Sequence, residues 1–342
     1  MPSVRKPSIE THSHRLVVAG GGTGGHLFPG IALAQAFMAR RLGNQVLFIN
    51  AGRYLDVTVL QQSAWPYATI PIEGIKGRGM FNQLKTVGMI PRSIWRAASI
   101  LKSFSPHVVL GVGGYSAGPV VVAAWCMGIP TVLHEQNRLP GMTNRLLHRI
   151  VKRIYLTFAD DARRFDTSKT LVAGNPVRDE FLILGDQHLV RDDPNRFNLL
   201  ILGGSQGARA INQAVMDAIP RLAQLTGLKV VHQTGAQDEA AVAQAYKAGG
   251  ITATAQRFFK NIATHYQQAD LIIARAGATT VAEITVVGRA AIFVPYPHAA
   301  DDHQTSNAQA LVAAGAAEMI IQSELNGPLL GATIAHHMRH RE

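Results

Sequence analysis

Three groups of residues in this 342-residue chain have types and spacings that could do chemistry. The first is Gly20-Gly21-Gly22-Thr23-Gly24-Gly25-His26. Glycine at this density lets the backbone approach a ligand, and a helix starting just beyond it turns free N–H groups on an anion, typically phosphate. His26 adds a titratable group at the loop exit, where chemistry could use it. Gly20, Gly22 and Gly25 also satisfy G-x-G-x-x-G, whose fuller form needs an acid about 20 residues on to hold a ribose. Here the second strand runs into Arg53, and the first acid is Asp56. An NAD reading weakens accordingly, leaving Arg53 to meet an NADP phosphate, and the bland alternative is a tight strand–helix turn.

The second group is Gly111 to Pro119, a Gly-rich strand exit through Gly113, Gly114, Tyr115 and Ser116. It reads as a second phosphate-sized loop beside the first, or as close packing of a buried helix. His134-Glu135-Gln136-Asn137 ends the next strand, and four polar groups there are costly if buried without partners. They are a site at a strand end or local hydrogen bonding; His134 and Glu135, being adjacent, point to opposite faces and make no metal motif. The third group lies late in the chain. Asp270 to Glu283 is again strand, Gly turn and helix; Glu283 is either a sugar-hydroxyl acceptor or, with Thr280, a capping box. Asp301, Asp302 and His303, bunched at a helix start, read as caps in preference to metal ligands.

The elements that position these groups alternate. Apolar runs of strand type occur at 16–19, 46–50, 108–112, 131–134, 154–157, 170–173, 199–202, 230–233, 271–274, 291–294 and 318–321, with helix-like runs between them. This implies βαβ units and parallel sheets, with ligands beyond the carboxyl ends of the strands. Leu199 to Arg209 repeats the opening motif through Gly203, Gly204 and Gly207. The chain is longer than one core usually covers, so the expectation is α/β architecture with two Rossmann-like domains whose parallel sheets face a cleft. The expected divisions are a flexible tail over 1–14, a first domain over 15–174, a hinge at 175–178 stiffened by Pro176, and a second domain over 179–342.

The formal net charge of +11 fits nucleic acid, an anionic membrane surface or an anionic substrate. No basic cluster interleaved with aromatics, and no known module, supports nucleic acid. The lone Cys126 excludes an internal disulfide and a cysteine metal site, and points to a reducing compartment. Met1 to His14 lacks the apolar core of a signal peptide. Val108 to Leu133 carries no charge, yet its glycines and prolines read better as strand, loop, buried helix and strand than as a membrane span. Gly74 to Arg96 mixes Lys76, Arg78, Lys85, Arg92 and Arg96 with Met80, Phe81, Leu84, Ile90 and Trp95. It is either an amphipathic helix pair with a solvated basic face or a contact for an anionic bilayer.

Taken together, these motifs resemble the MurG family of bacterial cell-wall transferases. The resemblance covers nearly all of Arg15 to Ile321 and rests on Gly21–His26, Gly113–Pro119, His134–Asn137, Gly174-Asn175-Pro176-Val177-Arg178, Gly203–Arg209 and Arg275–Glu283. It implies the GT-B type of fold and transfer of N-acetylglucosamine from UDP-N-acetylglucosamine to undecaprenyl-pyrophosphoryl-N-acetylmuramyl-pentapeptide, with inversion and without a cofactor or metal. It implies that Ser205 meets the nucleotide diphosphate, Arg178 lines the nucleotide site, and Phe259 offers its backbone to uracil. The helix start Ala278, Thr279, Thr280, Val281, Ala282 and Glu283 would meet the diphosphate and the ribose, and Gln304 the sugar. Thr23, Gly24, Gly25 and Asn137 would face the donor, while Gly113, Gly114, Tyr115 and Ser116 would hold the acceptor pyrophosphate.

The resemblance further implies a peripheral protein of the cytoplasmic face of the inner membrane. His26 is the first candidate base, with phosphate binding as its rival role, and Glu135 is the second. The chain departs from the family pattern at His303, where relatives carry glutamine, and after Ile321, where only a short segment is expected. Alternative readings are a UDP-N-acetylglucosamine epimerase, a GT-B transferase with a soluble acceptor, or a nucleotide-sugar-binding module.

Overall fold

Neighbouring residues of β1 (Arg15–Ala19) enter different cores: Val17 and Ala19 pack on one face of a sheet, Leu16 and Val18 on the other. A strand whose side chains alternate and are apolar throughout is buried on both faces, as a parallel sheet covered by helices requires. The computed structural model describes residues 13–73, 80–160, 162–185, 193, 195–204, 207–259 and 261–340, and of 80–87 and 300 the backbone alone.

The chain divides into two compact units, 1–135 with 142–156 and 160–172, and 136–141 with 157–159 and 173–342. In the first, β1 is joined by β2 (Gln45–Asn50), β3 (Tyr67–Thr69), β4 (Val108–Gly111), β5 (Thr131–Glu135), β6 (Arg153–Leu156) and β7 (Thr170–Val172) in the order β3-β2-β1-β4-β5-β6-β7. Every pairing is parallel. Helices α1 (Gly24–Arg40) and α2 (Tyr54–Gln62) cover one face through Leu27, Ile31, Ala34 and Leu60. Helices α3 (Met80–Phe104) and α4 (Ala117–Cys126) cover the other through Ala97, Leu101, Val120, Val121 and Ala124. The helix α5 (Met142–Leu147) packs on α4.

The second unit repeats the plan. Its strands β8 (Phe197–Leu202), β9 (Leu228–Gln233), β10 (Thr252–Gln256), β11 (Leu271–Ala274), β12 (Ala290–Phe293) and β13 (Glu318–Met319) form a parallel sheet ordered β10-β9-β8-β11-β12-β13. One core joins Leu199, Ile201, Val230 and Ile273 to the helices α7 (Arg209–Leu222), α8 (Glu239–Ala248) and α12 (Gly327–Arg339). The other joins Leu200, Leu202, Ile272 and Phe293 to α6 (Asp179–Gly185), α9 (Ile262–Gln268), α10 (Ala278–Val287) and α11 (His303–Ala313). In both sheets the strand order reverses between the first strand and the fourth, β1 beside β4 and β8 beside β11. Doubly wound sheets bind ligands at that switch point.

All the apolar runs read as strands form strands, and two further strands carry no such run. Short β3 edges its sheet, and β10 (TATAQ) alternates exposed and half-buried positions with short side chains. Gly74 to Arg96 departs from the helix-pair expectation: from Met80 on it belongs to one 25-residue helix with Pro91 inside, while 74–79 lie outside the described residues. The segment after Ile321 forms a 13-residue helix in the core, with Leu330 and Ile334 buried and Asn326 capping Leu329 N at 2.9 Å. Gly327 and Gly331 let it lie directly on α7: a Cβ at Gly327 would stand 2.5 Å from the Asp217 carbonyl carbon. The chain passes between units for the last time at 172/173, and Val177 already packs in the second core. No helix among the described residues is long and apolar enough to cross a membrane.

Candidate functional site

The first unit brings its two Gly-rich turns together at the switch point. Gly20 to Gly22 follow β1 with φ of +139°, +129° and +88°, and Gly113 and Gly114 follow β4 with φ of +92° and +78°. Side chains are excluded from the contact between them. A Cβ on Gly20 would stand 2.4 Å from the Gly113 carbonyl oxygen, and one on Gly114 would stand 2.5 Å from that of Gly21. Thr23 is the N-cap of α1, with Gly24 and Gly25 as its first residues, so His26 stands in the first helical turn. The His26 ring lies against Gly113, where a Cβ would come within 2.8 Å of Cδ2. Its Nδ1 is 3.0 Å from Thr23 Oγ1, a bond that fixes the ring. Ser116 is the buried N-cap of α4, and Tyr115 carries the Arg53 guanidinium 6.0 Å from its ring centre.

Asp56 does not stand where a ribose-binding acid would. It is wholly buried and accepts the Gly22 N–H with both carboxylate oxygens at 2.8 Å. Arg53 is likewise engaged, donating Nη1 to the Gly22 carbonyl at 3.3 Å. The dinucleotide reading loses its acid.

At the end of β5, His134, Glu135 and Gln136 are all buried. Glu135 is 2% exposed, and its Oε2 accepts from Asn144 Nδ2 at 2.8 Å. The same amide reaches the His134 carbonyl at 3.2 Å, so α5 is pinned to the strand end. Asn137 belongs to the second unit, where its Oδ1 accepts from Asn307 Nδ2 at 3.1 Å. Asn307, fully buried on α11, also accepts the Arg138 N–H at 3.0 Å and reaches the Ala276 carbonyl at 3.2 Å.

In the second unit the turn after β8 keeps Gly203 and Gly207 against the end of β9, where a Cβ would stand 2.8 Å from the Gln233 carbonyl oxygen and 2.7 Å from that of Thr234, while Gly204 faces open space; Ser205 and Gln206 lie outside the described residues. After β11, Gly277 caps α10, and Ala278, Thr279 and Thr280 form its first turn. The hydroxyl of Thr279 is buried with no partner among the described residues. Thr280 is thus the third helical residue, and the capping box with Glu283 does not form. Instead Glu283, 6% exposed, accepts from Arg178 Nη2 at 2.9 Å and from the Tyr266 hydroxyl at 3.1 Å. Burial raises its carboxyl, and the Arg178 charge opposes this. Arg178 also pairs with Glu180 at 2.8 Å and covers the Phe181 ring at 4.8 Å.

Phe259 is buried, its N–H 3.4 Å from Gln233 Oε1, and Gln304 Oε1 accepts the Tyr296 N–H at 3.0 Å. Val281 packs in the core and Ala282 beside it. Asp302 is the N-cap of α11 but takes a hydroxyl in place of a backbone N–H: Thr305 Oγ1 donates to it at 2.6 Å. Among the described residues no three His, Cys, Asp or Glu side chains could share a metal.

Sequence reasoning missed the partners: Asp56, Asn144, Tyr266 and Asn307. Asp56, Asn144 and Asn307 share one weak signal, a polar residue within a helix.

Residues 16–156 match the glycosyltransferase family 28 N-terminal domain, and residues 198–342 the family 28 C-terminal domain. A UDP-N-acetylglucosamine–N-acetylmuramyl-(pentapeptide) pyrophosphoryl-undecaprenol N-acetylglucosamine transferase of Syntrophus aciditrophicus (strain SB) is 45% identical over 327 residues, covering 95% of this chain and 90% of that one. The Trichlorobacter lovleyi protein of the same description is 43% identical over 345 residues, covering 96% and 91%. The crystal structure of Acinetobacter baumannii MurG superposes with a TM-score of 0.74 at 33% identity, covering 95% and 90%.

Proposed function

The chain belongs to glycosyltransferase family 28, among its MurG transferases of the GT-B fold, and on that premise we propose how its residues divide the reaction. It is a hexosyltransferase that moves N-acetylglucosamine from its UDP donor to undecaprenyl-pyrophosphoryl-N-acetylmuramyl-pentapeptide, the lipid I to lipid II step of peptidoglycan synthesis. The observation that carries the division of labour is a Gly-rich turn opening a helix at the switch point of each sheet.

The second unit takes the donor. The first N–H groups of α10 have no acceptor within the helix, and its amino end carries about half a positive charge. The buried Thr279 hydroxyl adds a donor for the diphosphate. Glu283 meets the ribose with the acceptor capacity its two partners leave, Arg178 and Ser205 line the nucleotide, Phe259 the uracil, and Gln304 the sugar. The first unit takes the acceptor, with its pyrophosphate on the backbone of Gly113 to Ser116 and of Gly20 to Gly25.

His26 is the base. With Nδ1 protonated and donating to Thr23, Nε2 carries the lone pair. It takes the proton of the acceptor O4 hydroxyl as O4 bonds to the sugar C1, the C1–oxygen bond to UDP breaks, and the pair leaves with UDP, inverting the anomeric carbon. Helix dipole and N–H groups stabilise the departing diphosphate. Glu135, buried and bonded to Asn144, is the weaker candidate.

Radiolabelled UDP-N-acetylglucosamine with a short-chain lipid acceptor tests this reading: label appears in a β-linked disaccharide lipid. Label recovered instead as an epimerised free sugar would establish the epimerase alternative. His26→Ala cuts turnover by about 10²–10⁴ with donor affinity unchanged; normal turnover with a raised acceptor KM assigns His26 to phosphate.

Membrane contact belongs to the first unit. Trp95 and Leu146 are each 72% exposed, on α3 and α5, and Trp125 is 51% exposed on α4 between them. Exposed Arg92 and Arg96 share α3 with Trp95. Aromatic and aliphatic side chains beside arginines suit an anionic bilayer surface at the cytoplasmic face of the inner membrane.

A further inference from the structure

Gly22 is gripped at both ends by the start of α2. Its N–H goes to the two oxygens of Asp56, and its carbonyl takes Nη1 of Arg53, the N-cap of α2. The fit leaves no slack on the glycine side: a Cβ on Gly21 would stand 2.9 to 3.0 Å from the Asp56 carboxylate atoms. Asp56 is 0% exposed on a helix whose other buried residue is Leu60, in the apolar core. Burying a carboxylate is expensive, and an apolar residue of similar size often stabilises a fold more. The acid at this position is therefore accounted for by the turn it holds and not by the core.

What the turn carries is His26. Gly22 precedes Thr23, and Thr23 contributes the hydroxyl 3.0 Å from His26 Nδ1. The opposite edge of the ring rests on Gly113. We propose that Asp56, seconded by Arg53, is the positioning residue that aims His26, by fixing the Gly22 peptide from which Thr23 and the first turn of α1 depart. This rests on the reading of His26 as the base. Asp56 touches no substrate; it acts through the backbone, and a shift of about 1 Å in a catalytic group costs about 10²-fold in rate.

The test compares Asp56→Asn, Asp56→Ala, His26→Ala, the double variant Asp56→Ala/His26→Ala, and Leu60→Ala as a control. Leu60 is a fully buried α2 residue outside the Gly22 contact. Steady-state kinetics with a short-chain lipid acceptor, UDP calorimetry and thermal melts are run on each full chain. Both Asp56 variants lose about 10- to 100-fold in kcat with UDP affinity unchanged, and the double variant is no slower than His26→Ala alone, since Asp56 has nothing left to aim. Leu60→Ala melts earlier but keeps its kcat at temperatures where it is folded.

Three results overturn the inference: normal kcat in Asp56→Ala, losses that multiply in the double variant, or an equal kcat loss in folded Leu60→Ala. A slow His26→Ala beside a normal Asp56→Ala sinks the positioning role alone. A His26→Ala enzyme of normal turnover sinks the reading of the base and the positioning role with it.

Discussion

Replacing Glu283 tests the donor site and the packing around it at once. The carboxylate stands between Arg178 Nη2 at 2.9 Å and the Tyr266 hydroxyl at 3.1 Å, and Tyr266 is buried. In Glu283→Ala the Tyr266 hydroxyl loses its acceptor, at a cost of about 1–3 kcal/mol. Arg178 keeps Glu180 at 2.8 Å and its side chain is 25% exposed, so water and Glu180 absorb part of its loss. The sum is about 3 kcal/mol of stability. Glu283→Gln keeps the shape and one acceptor, and costs about 1–2 kcal/mol.

Donor affinity separates a ribose contact from a packing role. A charged hydrogen bond lost to the ribose is worth about 1.5–3 kcal/mol, or about 10- to 150-fold in Kd. Both variants should therefore show weaker UDP binding by calorimetry, whereas Tyr266→Phe should lose about 1 kcal/mol of stability and bind UDP normally. Glu283→Gln with wild-type UDP affinity would refute the ribose contact. Glu283→Ala with wild-type stability in urea would refute the packing argument. The pH dependence has a sign as well. Burial raises the carboxyl above its ordinary 4.5, so ionisation costs more folded than unfolded. Wild type loses stability relative to Glu283→Gln as pH rises from about 4.5 through the raised value.

Buried His232 is held between the Tyr246 hydroxyl and Asn212 Oδ1, each at 3.0 Å, and burial lowers it to about 3. Between its ordinary 6.5 and about 3 the unfolded chain binds the extra proton, so stability falls with falling pH by about 1.4 kcal/mol per unit; urea melts of His232→Gln should lack that slope. Gly114→Ala should force the two first-unit turns apart and lower turnover with the second unit's UDP affinity unchanged, checked by kinetics and calorimetry. Wild type should float with anionic vesicles at low salt and not with neutral ones, while Trp95→Ser/Trp125→Ser/Leu146→Ser should stay behind and still bind UDP; a variant that floats places the contact elsewhere.

The repeating plan was legible because its signals are local. Apolar runs of strand length, glycines at strand exits and apolar helical faces are each set within a few residues, and they placed both switch-point turns, His26 and the start of α10. The pairings were not legible. Gly22 lies 34 residues from Asp56, Arg178 lies 105 from Glu283, and Asn137 lies 170 from Asn307. Nothing in the spacing of a buried carboxylate names its donor. Asp56 therefore read as a failed ribose acid, and Glu283 as either a sugar-hydroxyl acceptor or a cap, with no sign of Arg178 or Tyr266 beside it. Tertiary structure decided both, because a desolvated carboxylate must take whichever N–H or guanidinium the fold brings beside it, and folding alone determines which one arrives.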